Sequence, residues 1–233
     1  ELRALATALA GATGAQLGFL PEGGNAVGAA LAGVLPHRAA GGRAVVAPGL
    51  NAVEMLGARL KAYVLVGGIE AADLVPSSTI DASLRGADCV VAITPYASED
   101  ILAHAHVILP SALFAETSGT WVNVEGRWQS VAGVSKPAGE ARPAWKILRV
   151  LGNLLGLTGF EYVSSEEVRD ELRHELDSYK GGVTAAAAFA PGRLAAIDVT
   201  REVAIYGVDA IVRRSAPLQA TVDGKKGAGG GAA

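Results

Sequence analysis

Short apolar runs and helical stretches alternate along the first 110 residues of this 233-residue chain. In the helical stretches apolar residues recur at three- and four-residue spacing, as Val53, Leu56 and Leu60 do. The apolar runs have the composition of buried strands, and they occupy residues 15–20, 61–68, 88–94 and 106–110, with a strand or an extended link at 43–48. Residues 21–35 are predicted to form a glycine turn and then a helix, and further helical stretches occupy residues 51–60, 78–84 and 98–105.

This alternation predicts βαβ units, in which a helix connects two parallel strands. Residues 61–68 and 88–94 are apolar on both faces, as strands sandwiched between two helical layers require. Ser98 is the predicted N-cap of one helix, because acidic residues follow it in the first turn. The sequence therefore predicts an α/β fold with an open, mostly parallel sheet and flanking helices.

The pattern changes beyond residue 110. Residues 121–131 alternate between apolar and polar, which predicts a hairpin or an extended arm around Glu125 and Gly126. Ser164 and Glu167 have the spacing of a capping box at the start of a helix. The other predicted elements are a linker at 136–143, helices at 145–157 and 164–179, a loop at 181–192, a strand at 204–214 and a flexible tail from residue 224.

These patterns divide the chain into three predicted parts. Residues 1–142 form a partial α/β domain, whose last part, residues 111–142, is an extended crossing segment. Residues 143–222 form a small, helix-rich C-terminal region with one strand. Residues 223–233 form a flexible, glycine-rich tail.

Composition narrows the possible functions. Half of the residues are hydrophobic, which is enough for a large core. The formal net charge is −3, so no basic face for nucleic acid is expected. The single cysteine excludes a disulfide framework and also a cysteine-ligated iron–sulfur cluster within this sequence, since such a cluster needs about four thiolates.

The length of the apolar runs and the sequence of the first residues bear on membrane insertion and export. We find no apolar run of about 18 residues, so no membrane span is predicted. The first residues lack the charged-then-apolar layout of a signal peptide. Because the sequence begins with Glu1, inside a predicted helix, we expect it to be a fragment or a processed piece of a longer protein.

Glycine clusters follow the predicted strands. Such glycines allow a tight turn and let a phosphate approach a helix N-terminus. Their spacing gives no complete GxGxxG fingerprint, so turns that merely need glycine are the simpler interpretation. The clusters are Gly23, Gly24 and Asn25 with Gly28, Pro48 and Gly49, and Gly67 and Gly68.

Histidine and cysteine side chains offer a weaker candidate. His104 and His106 flank a helix-to-strand junction, and Cys89 lies at the start of a predicted strand. No carboxylate or thiol pair completes a tetrahedral metal site in this sequence. We therefore predict structural roles for the histidines and a core position for Cys89.

The stretch FAETSGTWVNVEGRWQ, residues 114–129, concentrates polar and aromatic residues directly after a strand. Glu116, Glu125 and Arg127 are either an acid/base set or an ion-pair cluster. Because no histidine or nucleophile accompanies them, we favour the ion-pair cluster. Trp121 and Trp128 are then expected to anchor the segment by burying large areas.

The order of these features resembles the molybdopterin oxidoreductase superfamily. Within it, the sequence is most similar to the C-terminal half of the large iron–sulfur component of respiratory complex I, the NADH–quinone oxidoreductase, which in mitochondria is the 75 kDa subunit. The family segment reads as a strand ending in LP, followed by E-x-x-G-T-x-x-N-x-E-G-R-x-Q. The matching residues here are Leu109, Pro110, Glu116, Gly119, Thr120, Asn123, Glu125, Gly126, Arg127 and Gln129.

This resemblance implies a non-catalytic scaffold that supports electron transfer from NADH to quinone. It implies iron–sulfur clusters in a preceding part of the parent subunit and no cofactor or metal in this region. It also implies other peripheral-arm subunits as partners. The implied location is the cytoplasmic face of the bacterial inner membrane, or the matrix side in mitochondria.

The resemblance also implies a cleft that borders the pterin in active relatives and is a relic here. The crossing segment would line it, with Gly119 letting the backbone turn, Thr120 and Asn123 satisfying backbone groups, and Glu116, Glu125 and Arg127 pairing locally. The candidate residues of this relic cleft are Gly24, Asn25, Gly67, Gly68, Glu116, Gly119, Thr120, Asn123 and Arg127.

Two other functions stay open. The chain could be a fragment of an active molybdopterin oxidoreductase such as a formate dehydrogenase, which bound molybdenum and pterin would identify. It could also be a nucleotide-binding module that uses the glycine turns, in which case a dinucleotide would raise the melting temperature.

Overall fold

The computed structural model describes residues 2–228 except 19, 22, 70–76, 179–205 and 208. The chain divides into two compact units. The larger unit consists of Gly18–Glu70 and Ser78–Thr184, and the smaller one of Glu1–Leu17, Ala71–Ser77 and Ala185–Ala233.

A three-stranded parallel sheet forms the centre of the larger unit. Its order is β1 (Ala62–Val66), β2 (Cys89–Thr94) and β3 (Val107–Pro110). Helix α4 (Ser77–Arg85) connects the first two strands, and α5 (Glu99–His104) connects the second and third. The predicted α/β fold, with an open parallel sheet and helical connections, is therefore confirmed.

Capping residues mark the start of α3, which precedes β1, and of α5, which lies between β2 and β3. Asn51 caps α3 (Ala52–Gly57): its side chain accepts a hydrogen bond from the Glu54 amide (3.0 Å), and the Glu54 carboxylate accepts one from the Asn51 amide (2.8 Å). Ser98 caps α5 by accepting a bond from the Ile101 amide at 3.4 Å, as predicted.

One face of the sheet carries the core of the larger unit. Tyr63, Val90 and Ala92 are buried, and the Tyr63 and Val90 positions are paired across β1 and β2. The Tyr63 hydroxyl donates to the Met55 carbonyl at 3.0 Å and so attaches the end of α3 to β1. The Ser83 hydroxyl donates to the Leu56 carbonyl, which attaches α4 to α3. These polar contacts fix how the helices pack on the covered face.

The opposite face is partly open. Val64 and Val66 of β1 are 52% and 55% exposed, and Val107 of β3 is 44% exposed. Ile93, which pairs with Val66 across the two strands, is fully buried. Both faces of β1 were predicted to be covered by helices. This prediction is wrong, because Val64 and Val66 lie on an exposed face.

A charged contact joins α4 to α5. Arg85 Nη2 lies 2.6 Å from Asp81 Oδ1, and the buried His104 places Nε2 3.1 Å from the same oxygen. The hydrogen bond from Arg85 lowers the pKa of Asp81, and the charges of Arg85 and His104 act in the same direction. The folded state therefore favours the ionised carboxylate.

We expect Asp81→Asn to be less stable than the wild type above about pH 4, the ordinary titration range of aspartate. The pKa of Asp81 is lower in the folded chain, so its contribution is complete above the unfolded pKa and disappears as the pH falls through the folded pKa. Urea unfolding at about pH 5 and at about pH 2.5 measures this. A stability difference that is equal at both pH values would contradict the assignment.

Beyond β3 the chain forms an antiparallel hairpin and two longer helices. After a 3-10 turn (Phe114–Glu116) come β4 (Gly119–Val122) and β5 (Trp128–Val131). The two strands pair with each other, so of the two predicted forms the structure has the hairpin and not the extended arm. The helices are α6 (Ala144–Leu154) and α7 (Ser165–Ser178). Both lie in the larger unit. The domain boundary placed at residue 142 stays a prediction.

The linker before α6 returns to the sheet. The Arg142 amide donates to the Pro110 carbonyl at 3.1 Å, and the Ala112 amide donates to the Arg142 carbonyl at 2.9 Å. Ser111 and Arg142 thus form a short parallel bridge that extends β3. This bridge fixes the start of α6 beside the sheet edge.

Two predicted strands are absent from the described residues. Residues 15–18 and 20 are irregular and pair with no strand of the described sheet. Within residues 204–214 the described part contains turns and a 3-10 helix (Val212–Arg214). The Asp209 carboxylate accepts bonds from the Ile211 and Val212 amides, at 2.8 and 2.9 Å, and so favours a turn over a strand.

The smaller unit is helical in the described residues. It contains α1 (Leu2–Thr13), α8 (Ala216–Gln219) and α9 (Val222–Ala228). The structure thus gives a helix at the start of the predicted flexible tail, where the Thr221 hydroxyl accepts a bond from the Gly224 amide at 3.1 Å. The remainder of the tail, like the predicted loop at 181–192, lies outside the described residues.

Candidate functional site

The turn before α2 (Ala26–Leu31) contacts the hairpin. Asn25 Oδ1 accepts a hydrogen bond from the Val122 amide at 2.8 Å, between residues 97 positions apart in sequence. Asn25 also directly precedes α2, and its carbonyl accepts from the Ala29 amide at 2.9 Å. One asparagine therefore begins a helix and holds the end of β4.

Gly28 makes this contact possible. A Cβ at this buried position would lie 2.1 Å from Asn25 Oδ1 and 2.9 Å from Asn25 Cγ. The absent side chain leaves the space that the Asn25 carboxamide occupies. The sequence analysis placed Gly28 in a glycine turn and did not predict this role. An Asn-x-x-Gly spacing, about one helical turn, is the signal that could have indicated it.

A small cleft lies beside this contact. Its volume is about 240 Å³, and its lining includes Gly23, Gly24, Val27, Val122 and Asn123. The structure therefore brings residues of the glycine turn and of the hairpin to one place. The cleft is bounded largely by backbone and aliphatic groups.

Asn123 organises the turn of the hairpin. Its Oδ1 accepts bonds from the Glu125 amide at 3.1 Å and the Arg127 amide at 2.9 Å, which confirms its predicted role in satisfying backbone groups. Gly126 takes a φ of +77°, a conformation that favours glycine in such a turn. The turn is therefore encoded locally.

Thr120 and Gly119 behave differently from the prediction. The Thr120 hydroxyl lies 2.9 Å from the Ser130 hydroxyl and makes a cross-strand contact instead of satisfying a backbone group. Gly119 begins β4 and is not among the glycines with positive φ, so the prediction that it lets the backbone turn is wrong. Its absent side chain instead leaves room for Trp121, whose ring would lie 3.1 Å from a Cβ.

The predicted ion-pair cluster is wrong as well. No ion pair in the described part of the chain joins Glu116, Glu125 and Arg127. Glu116 instead accepts a bond from the Leu113 amide at 2.9 Å, which closes its own 3-10 turn. Glu125 and Arg127 flank the hairpin turn and are exposed, so water competes with any pairing between them.

Helix α7 holds the other strand of the hairpin. The Arg173 guanidinium lies 4.8 Å from the centre of the Trp128 ring, within the range of a cation–π contact. Arg169 Nη1 donates to the Ser130 hydroxyl at 3.3 Å. Both tryptophans of the hairpin, Trp121 and Trp128, are half-buried. Trp128 anchors the segment partly through α7, a contact that sequence spacing alone does not reveal.

Gly67 and Gly68 follow β1 at the carboxyl edge of the sheet. Both have positive φ, +89° and +88°. The Gly67 amide donates to the Ile93 carbonyl at 2.8 Å, and a Cβ on Gly68 would lie 3.1 Å from Thr94 Oγ1. These contacts are with β2, whereas Asn25 contacts the hairpin, so the candidate residues fall into two groups.

The histidines have structural contacts, as predicted. His106 Nδ1 accepts a bond from the Val90 amide at 3.0 Å, and His104 contacts Asp81. Cys89 is exposed, so its predicted core position is wrong; it begins β2 on the open face of the sheet. Within the described ranges we find no group of three or more side chains arranged to hold a metal ion.

The residues of the cleft do not fit a pterin cofactor. The volume of about 240 Å³ lies below the roughly 300–1,000 Å³ of most ligand pockets. The side-chain oxygens of Asn25 and Asn123 already accept backbone bonds. Among the described lining residues there is no cationic side chain that could meet a phosphate group.

In the described ranges no helix is long and hydrophobic enough to cross a bilayer. Several known proteins are similar to parts of this chain. The chain is 35% identical over 120 residues to the assimilatory nitrate reductase catalytic subunit of Bacillus subtilis, covering 51% of this chain and 16% of that protein. It is 49% identical over 51 residues to the mitochondrial NADH-ubiquinone oxidoreductase 78 kDa subunit of Candida albicans, covering 22% and 7%.

A third relative is the F420-dependent formate dehydrogenase subunit alpha of Methanocaldococcus jannaschii, which is 37% identical over 78 residues, or 33% of this chain and 12% of that protein. In each case the chain spans less than a fifth of the relative's length. The family model described as molybdopterin oxidoreductase matches residues 4–154, more than half of the 233 residues. The chain belongs to the molybdopterin oxidoreductase family.

Proposed function

We propose that this chain is a non-catalytic scaffold region of the large iron–sulfur subunit of a proton-translocating NADH:quinone oxidoreductase. The observation that carries the proposal is the hydrogen bond from the Val122 amide to Asn25 Oδ1, which joins the glycine turn to the hairpin. The side-chain oxygens of Asn25 and Asn123, which would otherwise be open to a cofactor, accept hydrogen bonds from backbone amides and so maintain the fold. A scaffold needs no further chemistry from them.

The assignment to the NADH:quinone oxidoreductase rests on one similar protein. The 49% identity to the complex I subunit of Candida albicans is higher than the identities to the nitrate reductase and the formate dehydrogenase, although it extends over fewer residues. On this proposal other peripheral-arm subunits are the partners, and the iron–sulfur clusters belong to another part of the parent subunit. The assembly would stand at the cytoplasmic face of a bacterial inner membrane, or on the matrix side in mitochondria.

One alternative has an observation in its favour. The alignment with the catalytic subunit of assimilatory nitrate reductase extends over 120 residues, more than twice the length of the alignment with the complex I subunit. This favours a fragment of an active molybdopterin oxidoreductase. On this alternative, other parts of the parent protein would hold the cofactor.

Metal analysis separates these two functions. The native assembly would be purified through a tag on the parent protein, and its metals and its NADH oxidation would be measured. We expect abundant iron, NADH oxidation, and neither molybdenum nor tungsten. Stoichiometric molybdenum or tungsten would refute the scaffold function and support the active enzyme.

The variant Glu125→Gln adds a second measurement in the same assembly. Glu125 is exposed on the hairpin turn, and in a scaffold its charge has no part in electron transfer. We expect turnover with NADH and quinone close to that of the wild type. A collapse of turnover in a fully assembled complex would mean that the hairpin has a catalytic role.

A further inference from the structure

A second and larger concave region lies in the larger unit, away from the Asn25 contact. Its volume is about 630 Å³, within the range of small-molecule sites. Parts of the crossing segment, the linker, α6 and the residues around the start of α7 form its walls. We call it the linker groove and define it by Ser118, Lys136, Arg142, Trp145, Lys146 and Ser165.

The walls of the linker groove are held in place. The backbone of Arg142 is bonded to Pro110 and Ala112 at the sheet edge. Lys146 lies in the first turn of α6, with its ammonium 5.3 Å from the centre of the Trp145 ring. On the other side, the Val134 amide donates to the Ala115 carbonyl at 2.8 Å. The charged groups are therefore attached to fixed backbone, as a binding site requires.

Cationic side chains predominate in the linker groove, although the chain as a whole is acidic. Lys136, Arg142 and Lys146 line it together with two carboxylates, Glu116 and Glu166. Each carboxylate already accepts a hydrogen bond within the chain: Glu116 from the Leu113 amide at 2.9 Å, and Glu166 from the Ser165 hydroxyl at 3.0 Å.

The two lysines of the groove are in no ion pair of the described residues. Arg142 Nη1 donates to the Ala141 carbonyl at 3.0 Å, and Arg142 Nη2 has an exposed contact with Glu140 at 3.5 Å. Exposed contacts of this kind exchange readily with another anion. The groove therefore has positive charge available to a ligand.

One further group provides hydrogen-bonding capacity. It is not the hydroxyl pair of Ser118 and Ser165, which lie 2.7 Å apart at the groove wall and bond to each other and to Glu166. Trp145 Nε1, on a residue of the same wall, has an accessible area below 1 Å² and no acceptor in the described part of the chain. A buried donor in this state is stabilised when a bound molecule or a water brings it an acceptor.

We propose that the linker groove binds a small organic anion that carries carboxylate or phosphate groups. The planar guanidinium of Arg142 can donate two hydrogen bonds to a carboxylate or a phosphate, and Lys136 and Lys146 add positive charge. Trp145 provides an apolar surface beside these cations. This inference does not depend on the scaffold function, because the groove is separate from the candidate cleft.

The test measures thermal unfolding of the full chain in increasing citrate or inorganic phosphate, with sodium chloride at equal ionic strength as the reference. We expect saturable stabilisation by at least one of the two anions, which also identifies the favoured chemistry. Arg142→Gln combined with Lys146→Gln should weaken apparent binding at least tenfold. Lys136→Gln, on another wall, should weaken it as well.

Lys61→Gln is the matched control, since it removes one exposed cation outside the groove, immediately before β1. It should bind the anion as the wild type does. Equilibrium dialysis with labelled citrate or phosphate provides a readout that does not depend on the stability of the variants. Stabilisation equal to that in sodium chloride, or equal binding by the groove variants and Lys61→Gln, would overturn the proposal.

Discussion

Replacing Gly28 by alanine should destabilise the larger unit by roughly 2–4 kcal/mol, because it combines overpacking with the loss of a partly buried hydrogen bond. The new Cβ would lie 2.1 Å from Asn25 Oδ1, so the carboxamide has to move. The Val122 amide then loses its acceptor, and the turn before α2 separates from β4. Urea unfolding followed by tryptophan fluorescence measures the change.

Gly57→Ala is the matched control for this substitution. Gly57 also lies in a six-residue helix, but no atom lies within 4 Å of its added Cβ. Alanine there should stabilise the chain by about 0.4–1 kcal/mol. Asn25→Asp keeps an acceptor oxygen for Val122, whereas Asn25→Ala removes it, so the first should be less damaging. Equal effects of Gly28→Ala and Gly57→Ala would contradict the role that we assign to Asn25.

The elements that could be predicted from sequence are those that local chemistry specifies. Ser98 marked the start of a helix, and the apolar runs at 88–94 and 106–110 became neighbouring parallel strands. The hairpin around Gly126 was one of two predicted forms of its segment, because alternation and turn residues occur together in a few positions. In each case the deciding signals lie in residues close in sequence.

The errors concern contacts that sequence spacing does not encode. Whether a strand residue is buried depends on which elements cover the sheet. The sequence therefore could not show that one face of β1 and the Cys89 side chain are exposed. Ion pairs were expected from charge alone, but Glu116 bonds to backbone instead. Asn25 could be identified as a turn residue, but not as the partner of Val122, because the contact spans 97 residues.

Long-range contacts hold the hairpin that begins within residues 114–129. It is held from two sides, by Asn25 at β4 and by Arg169 and Arg173 at β5. Among the side chains of the stretch, Trp128 contacts Arg173, and the Ser118 hydroxyl lies 2.7 Å from that of Ser165, so both connect elements that are far apart in sequence. A segment that does this must keep its side chains even without a cofactor, which supports the scaffold function.

Gly152→Ala should destabilise α6 and the residues after it by about 1–3 kcal/mol, the usual range for overpacking. A Cβ at this buried position would lie 2.3 Å from Phe160 Cδ1 and 2.4 Å from Phe160 Cγ. Alanine favours a helix over glycine by up to about 1 kcal/mol, but a clash of this depth forces the ring away and outweighs that gain. Thermal or urea unfolding measures the net effect.

A double-mutant cycle with Phe160→Ala shows whether the ring is the cause. Once the ring is removed, alanine at position 152 has no clash and retains its helix preference, so Gly152→Ala should be neutral or stabilising in that background. Phe160→Ala by itself should be destabilising, because it removes a partly buried aromatic side chain from Gly152. Additive effects of the two substitutions would mean that they act separately. The loss would then have to come from the α6 backbone, where the Gly152 carbonyl accepts a bond from the Leu157 amide at 3.0 Å.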